Sequence, residues 1–103
     1  MSLSFEALTL LVEVWGEKRG ILESSTPESQ FLKTVSEIGE LSDALAKGTR
    51  EEVIDSLGDV LVTLILVAKL KNLSLTDCLQ SAYDEIVSRK GKMVNGVFVK
   101  EET

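Results

Sequence analysis

Apolar side chains recur every three or four positions along most of the chain, a spacing typical of amphipathic α-helices. The first helix that this pattern predicts runs from about Ser4 to Arg19. A second helix begins at Thr26-Pro27, because threonine is a favoured N-cap and proline suits the first helical position, and it extends to about Lys47. The first half of the chain is therefore predicted to form two helices joined by a short polar linker.

The second half of the chain contains two further helices with clear start signals. Thr49 and Glu52 have the spacing of a capping box, which opens a third predicted helix that continues to about Lys71. A fourth helix begins at Ser74 and ends near Arg89–Lys90. Because the connection between the second and third helices is very short, we expect those two helices to be antiparallel neighbours.

The predicted fold is a single all-α domain over residues 1–103, an antiparallel four-helix bundle with a short C-terminal extension. Residues 1–3 and 101–103 are interpreted as terminal tails, and Asn95-Gly96 between apolar residues predicts a small hairpin or turn. The stretch Val60–Leu70 is apolar almost all round, which indicates a helix buried on every side. So much apolar surface on only four helices also favours self-association.

Composition narrows the possible functions of this domain. The hydrophobic content of 44% is enough for a packed core, and the net charge of −6 argues against broad contact with a nucleic-acid polymer. The absence of histidine excludes His-based catalysis and His-Cys zinc sites. The single cysteine, Cys78, excludes an internal disulfide and is predicted to fill the core. Without a signal-peptide pattern or an apolar stretch of ~20 residues, we expect a cytoplasmic protein that does not enter a membrane.

The acidic residues of the second and third helices have unusual positions. Glu37 falls inside the apolar arc of the second helix and Glu40 lies at its edge. Asp59 opens the apolar stretch of the third helix, and Asp55 lies one turn earlier on the same face. If the turn between the helices centres near Gly48, Glu37 faces Asp59 and Glu40 faces Asp55 or Ser56. Side chains from both helices can then converge on one point.

Several carboxylates in one semi-buried place cannot all stay ionised without a counter-charge, and a divalent cation supplies one. All-oxygen ligands indicate Mg²⁺, or Mn²⁺, rather than zinc. The simpler interpretation is that Glu37 and Glu40 form a solvated helix face, while Asp55 and Asp59 complement a helix dipole. Asp59 lies about two turns beyond the first turn, where the dipole matters, and both pairs fall at matched heights. We therefore favour the metal site.

Two segments carry a resemblance to a known family. Residues Gln30–Leu41, followed by Asp55–Leu61, resemble the MazG-type all-α nucleoside triphosphate pyrophosphohydrolases. The tail from Arg89 to Lys100 resembles a compact, single-domain branch of that family. The resemblance spans most of the chain, from about Trp15 to Lys100, and implies the same all-α fold in a dimer or a dimer of dimers.

The family binds metal through a Glu-Glu-x-x-Glu motif on one helix and a Glu-x-x-Asp motif on the next. Three residues match these motifs: Glu37, Glu40 and Asp59. Ser36 and Ser56 stand where the family has glutamates, and Asp55, one residue before Ser56, is an alternative ligand. One magnesium ion is thus supported, and the presence of a second stays open.

The resemblance implies hydrolysis of a nucleoside triphosphate between its α and β phosphates, which gives a nucleoside monophosphate and pyrophosphate for house-cleaning or control of the nucleotide pool. Glu37 and Glu40 are the candidate catalytic residues, and either can act as the base. A specialised relative acting on dUTP or phosphoribosyl-ATP is one alternative. A non-catalytic helical module that binds a nucleotide or a protein partner is another. No residue pattern indicates a base or sugar preference.

Six further residues are candidates for contacts with the substrate: Lys33, Gln30, Trp15, Arg89, Lys90 and Lys92. Lys33 also has the spacing of a simple ion pair with Glu37. The basic residues at the end of the fourth helix either complement its dipole or clamp the triphosphate across a subunit boundary. Trp15 suits a core position as well as stacking on a base, and Gln30 can hydrogen-bond a ligand.

Overall fold

A computed structural model describes residues 2–101 and shows an all-α chain that ends in a small hairpin. It has the following elements: α1 (Phe5–Lys18), α2 (Ile21–Ser24), α3 (Pro27–Lys47), α4 (Arg50–Leu70), α5 (Leu75–Ile86), β1 (Gly91–Val94) and β2 (Val97–Lys100). The all-α prediction is confirmed, although the described residues form five helices rather than four. Of the predicted terminal tails, residues 2–3 lie outside any element, and residues 1, 102 and 103 lie outside the described part.

The N-cap residues predicted for the two longest helices, α3 and α4, form the expected capping hydrogen bonds. The Thr26 side chain accepts a hydrogen bond from the Ser29 amide at 3.1 Å at the start of α3. At the start of α4, the Glu52 amide donates to Thr49 Oγ1 at 3.2 Å and the Thr49 amide donates to Glu52 Oε1 at 3.1 Å. Only Gly48 and Thr49 separate α3 from α4, so the chain reverses there and the two helices pack side by side.

The additional helix, α2, follows a reversal at Gly20. This glycine has a φ of +79°, in the left-handed region that residues with a Cβ rarely occupy. It ends α1 and redirects the chain into the single turn Ile21–Ser24. A helix of four residues is too short to carry a hydrophobic period, so the sequence pattern does not reveal it.

Helix α4 is the centre of the fold, because it contacts every other helix, whereas α3 packs against α4 alone among the described elements. The buried apolar core consists of Ile65, Leu66, Ala68 and, from α3, Ala44. Gly16 of α1 lies so close to Leu66 that a Cβ built on it would be 2.5 Å from Leu66 Cδ2. The prediction that Val60–Leu70 is buried on every side is confirmed only in part: four of its eleven residues are buried, five are half-buried, and Leu61 and Lys69 are exposed.

Helix α5 packs only through its beginning. Ser74, Leu75 and Thr76 are half-buried, while every described residue from Asp77 onward is exposed. The prediction that Cys78 fills the core is therefore wrong, since this cysteine is exposed. The helix also ends at Ile86, before the predicted Arg89–Lys90, because its last turn tightens and the Arg89 amide donates to the Ile86 carbonyl at 3.0 Å.

The C-terminal hairpin forms where Asn95-Gly96 predicts a turn. Val94 pairs with Val97, and Asn95 and Gly96 between them have φ values of +50° and +82°, as a two-residue type I′ turn requires. All eight strand residues are exposed. In the described part of the chain no strand residue comes within 8 Å, Cα to Cα, of any helical residue.

The described chain has an unusually large surface for its mass. Its accessible area is 8011 Å², whereas a compact monomer of 11.3 kDa has about 5,700 Å². Its radius of gyration is 16.1 Å, against about 13 Å for a compact domain of this length. Across residues 2–101, no helix combines the length and the apolar character needed to traverse a bilayer.

Candidate active site

The most unusual group in the described chain is the Glu37 carboxylate on the inner face of α3. Its side chain is only 9% exposed, and Oε1 lies 3.1 Å from the Nζ atom of Lys33, one turn earlier. Its other oxygen, Oε2, is buried and has no hydrogen-bond partner. Because a buried polar atom without a partner is unfavourable, Oε2 marks a place where a ligand can supply one.

Glu40 lies one turn after Glu37, and the two carboxylates interact directly. The ammonium group of Lys33 holds the pKa of Glu37 below its ordinary value, and the contact with Glu40 adds to this effect. The Glu37 carboxylate raises the pKa of Glu40, and the charge of Asp59 across the helix pair raises it further. Negative charge from α3 and α4 thus converges on Glu40.

A cavity of about 450 Å³ opens in front of Glu37. It brings together five of the residues that the sequence singles out: Trp15, Gln30, Lys33, Glu37 and Asp59. Its remaining walls are Ile21, Val62, Thr63 and Leu66, so four of the five helices contribute to it. The cavity is therefore polar along α3 and apolar at the base, next to the core.

Helical spacing explains why these side chains share one cavity. On α3 the intervals between Gln30, Lys33 and Glu37 are three and four residues, which places them along one face. Buried Thr34 satisfies its own hydroxyl by donating to the Gln30 carbonyl at 3.3 Å. On α4 the Thr63 hydroxyl donates to the Val60 carbonyl at 2.8 Å. Both hydroxyls are satisfied locally, so neither supplies a hydrogen bond to the unpartnered oxygen of Glu37.

The other two predicted metal ligands, Glu40 and Asp55, line a neighbouring cavity of about 490 Å³ at the α3–α4 turn. The complete lining of this acidic cleft is Glu40, Asp43, Ala44, Lys47, Gly48, Glu52, Asp55 and Ser56. Sequence analysis did not single out Asp43, although its spacing of three residues from Glu40 puts both on one face. Glu40 connects the two cavities because it interacts with both Glu37 and Asp59.

The four carboxylates do not form a ready-made metal cluster. Nowhere in residues 2–101 are three Asp, Glu or Cys side chains grouped closely enough to hold a metal ion. Glu37 is buried as expected, but Glu40, Asp55 and Asp59 are exposed rather than semi-buried.

The basic candidates divide between two regions of the molecule. Lys33 forms the ion pair with Glu37 that its spacing suggests, and it also lines the cavity. Arg89 pairs with Glu85 at 3.2 Å on α5. Lys90 and Lys92 line a separate cavity of about 390 Å³ on the hairpin. Within one chain, therefore, the C-terminal basic residues do not reach the acidic cavities.

Comparison with known proteins identifies the family of the chain. Residues 25–94 match the family described as "MazG nucleotide pyrophosphohydrolase domain". Because the match covers more than half of the chain and includes α3, α4 and α5, the chain belongs to the MazG nucleotide pyrophosphohydrolase family. The matched segment contains all four of the candidate carboxylates.

One curated relative is a phage protein. The "Uncharacterized 18.2 kDa protein in rep-hol intergenic region" of Haemophilus phage HP1 (strain HP1c1) is 41% identical over 58 residues. The aligned region is 56% of this chain and 36% of the phage protein, so the chain spans about a third of that relative. No solved structure gives a significant match.

Proposed function

We propose that this protein is a Mg²⁺-dependent nucleoside triphosphate pyrophosphohydrolase that converts (d)NTP to (d)NMP and pyrophosphate in the cytoplasm. Its role would be house-cleaning or control of the nucleotide pool. The observation that carries the proposal is the buried, unpartnered Oε2 of Glu37, which lies in a cavity with Asp59 and Lys33. Membership of the MazG family supports the class of reaction.

The available donors fit a hard divalent cation. Glu37, Glu40 and Asp59 offer only carboxylate oxygens, and Asp55 is a fourth from the adjacent cleft. The contact with Glu37 and the charge of Asp59 both raise the pKa of Glu40, and a divalent cation would neutralise this negative charge. Bound Mg²⁺, or Mn²⁺, supplies charge neutralisation for the phosphate oxygens of the substrate.

The reaction breaks a phosphoanhydride bond with water. Water adds to phosphorus, the bridging P–O bond breaks, and the proton from water passes to a carboxylate. Glu37 and Glu40 are the candidates for this base. Lys33 keeps Glu37 ionised, because its ammonium group lowers the pKa of that carboxylate. Glu37 is thus ionised and able to bind a cation at neutral pH, whereas Glu40, whose pKa is raised, is the better proton acceptor of the two.

The cavity also offers surfaces for the rest of the nucleotide. The Trp15 ring is 44% exposed and lies in the cavity wall, so it is available for stacking on a base. Gln30 lies on the same wall of α3 as Lys33 and provides an amide for hydrogen bonds. We assign Trp15 and Gln30 to the nucleoside and Lys33 to the phosphates.

The surface area of the chain supports a homodimer or a homotetramer as the working form. The excess of about 2,300 Å² over a compact monomer is comparable to the area that obligate interfaces bury. A second copy would also cover the exposed carboxylates. Sedimentation velocity measures the mass of the assembly directly, and a stable monomer would contradict this part of the proposal.

A direct test is pyrophosphate release from a panel of nucleoside triphosphates, dUTP and phosphoribosyl-ATP included, with and without Mg²⁺. We expect turnover that requires the metal, and loss of turnover in Glu40→Gln and Asp59→Asn while both variants stay folded by circular dichroism. Asp84→Asn on α5 is the matched control, since the new amide oxygen still accepts the hydrogen bond from Gln80. Unchanged turnover in the two site variants would refute the assigned site.

The second candidate function is a non-catalytic module that binds a nucleotide or a protein partner. Two observations favour it: Ser36 and Ser56 replace the glutamates of the family motifs, and the described residues contain no three-ligand cluster. This alternative predicts nucleotide-dependent thermal stabilisation without any release of pyrophosphate. The same substrate panel therefore distinguishes the two functions.

A further inference from the structure

The C-terminal hairpin has no packing partner within the described chain. We call residues 89–101 the hairpin arm. Its strands contact each other and no helix, and the Glu101 amide extends their pairing by donating to the Lys90 carbonyl at 2.7 Å. An isolated two-stranded hairpin is at best marginally stable in water, so the described chain leaves the arm without the packing that such a hairpin needs.

Both faces of the hairpin arm carry apolar side chains that such a surface would cover. Met93 and Phe98 form a cross-strand pair, exposed by 64% and 49%. The opposite face presents Val94 and Val97 as a second pair, with Val99 beside them. A hairpin exposed on one face only would show alternating apolar and polar positions, whereas this arm is apolar on both faces.

The charge of the hairpin arm is opposite to that of the remaining chain. It carries four of the eleven basic residues and, among its described side chains, a single acidic one, Glu101, although the whole chain has a net charge of −6. Lys90, Lys92 and Lys100 surround one cavity on the arm. Like charges so close together favour an acidic surface as the partner.

The acidic cleft at the α3–α4 turn has the complementary character. Four carboxylates line it, and Lys47 is the one basic residue in its lining. The adjoining parts of α3 and α4 expose large apolar side chains, Leu45 at 67% and Ile54 at 56%. This region therefore combines acidic groups with uncovered apolar surface, as the hairpin arm combines basic groups with uncovered apolar surface.

We propose that the hairpin arm of one copy docks on the α3–α4 turn of a second copy, with Lys90 and Lys92 at the acidic cleft. Each chain has one arm and one cleft. If each arm docks on the cleft of the other copy, the two copies form a closed two-fold dimer in which both arms and both clefts are covered. The excess surface of about 2,300 Å² per chain is sufficient for such an interface.

Docking in this position places the lysines of one copy beside Glu40 and Asp55 of the other, next to the cavity that contains Glu37. This step rests on the proposed function: the lysines on the arm of the second copy would neutralise the negative charge of the triphosphate. This docking would explain why Lys90 and Lys92, in a tail that resembles the tail of a MazG branch, lie away from the acidic cavities of their own chain.

The test is disulfide cross-linking between two versions of the chain expressed together, both with Cys78→Ser. One version is tagged and carries Lys92→Cys, and the other is untagged and carries Asp43→Cys. We expect cross-linked tagged–untagged dimers in at least tenfold greater yield than with Asp84→Cys on α5 as the untagged partner. Equal yields, or a monomer by sedimentation, would overturn the proposal.

Charge reversal provides a second test that does not depend on cysteine geometry. Lys92→Glu is expected to weaken dimerisation at least tenfold, and Asp43→Lys added to the same chain is expected to restore most of it. No weakening, or weakening without rescue, would contradict docking at the cleft.

Both tests are performed without nucleotide, so they are independent of catalysis. An active enzyme whose arm does not cross-link refutes the docking alone. A cross-linked dimer that releases no pyrophosphate refutes the proposed reaction alone.

Discussion

The Lys33 ammonium group lies 3.1 Å from one oxygen of the Glu37 carboxylate and leaves the other oxygen buried without a partner. The lysine side chain is 60% exposed, whereas the glutamate is nearly enclosed. The Glu37 carboxylate thus has one cationic partner, the exposed Lys33 side chain, which a ligand can displace. When a metal ion enters the cavity it can replace Lys33 beside Glu37, and when a phosphate enters, Lys33 can turn to it.

Replacing Lys33 with methionine is expected to lower the melting temperature of the metal-free protein at neutral pH. The variant leaves the Glu37 carboxylate buried with no counter-charge, so the pKa of Glu37 rises. Addition of Mg²⁺ is expected to recover part of the lost melting temperature, because the ion replaces the lysine. Differential scanning calorimetry with and without Mg²⁺ measures both effects. A melting temperature unaffected by the substitution would show that the ion pair contributes nothing to folding.

The opposite pKa shifts of Glu37 and Glu40 predict how stability depends on pH in the metal-free protein. The pKa of Glu40 is higher in the folded state than its ordinary value of 4.5. Above pH 4.5 Glu40 therefore binds its proton more readily in the folded state than in the unfolded chain, and its contribution to the free energy of unfolding falls as pH rises through its folded pKa. The lowered pKa of Glu37 has the reverse effect, since its contribution is lost as pH falls through its folded pKa.

Glu40→Gln is expected to remove the fall in stability above pH 4.5, because the variant side chain cannot ionise. Urea midpoints measured at intervals from about pH 4.5 to 7 compare the two proteins. The control is Glu51→Gln, which changes an exposed glutamate in the first turn of α4. If the wild-type protein and Glu40→Gln show the same slope, Glu40 is not the titrating group.

Asp59→Asn is expected to reduce pyrophosphate release on the order of 100-fold, the scale of losing one electrostatic contact in a transition state. The same change is expected to raise the melting temperature of the metal-free protein slightly, because the Asp59 charge opposes ionisation of Glu40. These opposite effects on activity and stability distinguish a ligand from a structural residue. Lower stability without metal would indicate a structural hydrogen bond instead.

Gly16→Ala tests the close approach of α1 to α4. The new methyl group would overlap Cδ2 of Leu66, which belongs to the core and is only 1% exposed, so Leu66 must shift to make room for it. We expect a loss of about 1–3 kcal/mol in the free energy of unfolding, measured by urea denaturation.

The matched control for Gly16→Ala is Gly39→Ala on α3, where a Cβ meets nothing within 4 Å. This helical position is expected to gain about 0.5–1 kcal/mol. Equal effects at the two glycines would contradict the packing of Gly16 on Leu66.

Local signals in the sequence were sufficient for most of the fold. The caps at Thr26 and Thr49 and the turn at Asn95-Gly96 each depend on a few neighbouring residues, and all three appear in the structure. The short helix α2 could not be predicted, because four residues are too few to carry a hydrophobic period. The exposure of Cys78 could not be predicted either, because it depends on how α5 packs against residues that are distant in the sequence.

The candidate site was predictable to a similar extent. Helical spacing correctly brought Glu37 and Asp59 into one cavity, since the two-residue turn after Lys47 leaves little freedom in the register of α3 and α4. Spacing did not show that Glu40 and Asp55 line a second cavity at the turn. Which cavity each carboxylate lines depends on the direction of its side chain, and that direction depends on the rotation of each helix about its own axis.

The residues that line the cavity come from two parts of the chain, one outside and one inside the segment that matches the MazG family. Trp15 and Ile21 precede residue 25, where the family match begins, whereas the carboxylates lie within the matched segment. Part of the wall assigned to the nucleoside therefore lies outside the matched segment, while Gln30 and the carboxylates lie inside it. Exchanging residues 5–24 with those of another family member would change that part of the wall and leave the carboxylates in place.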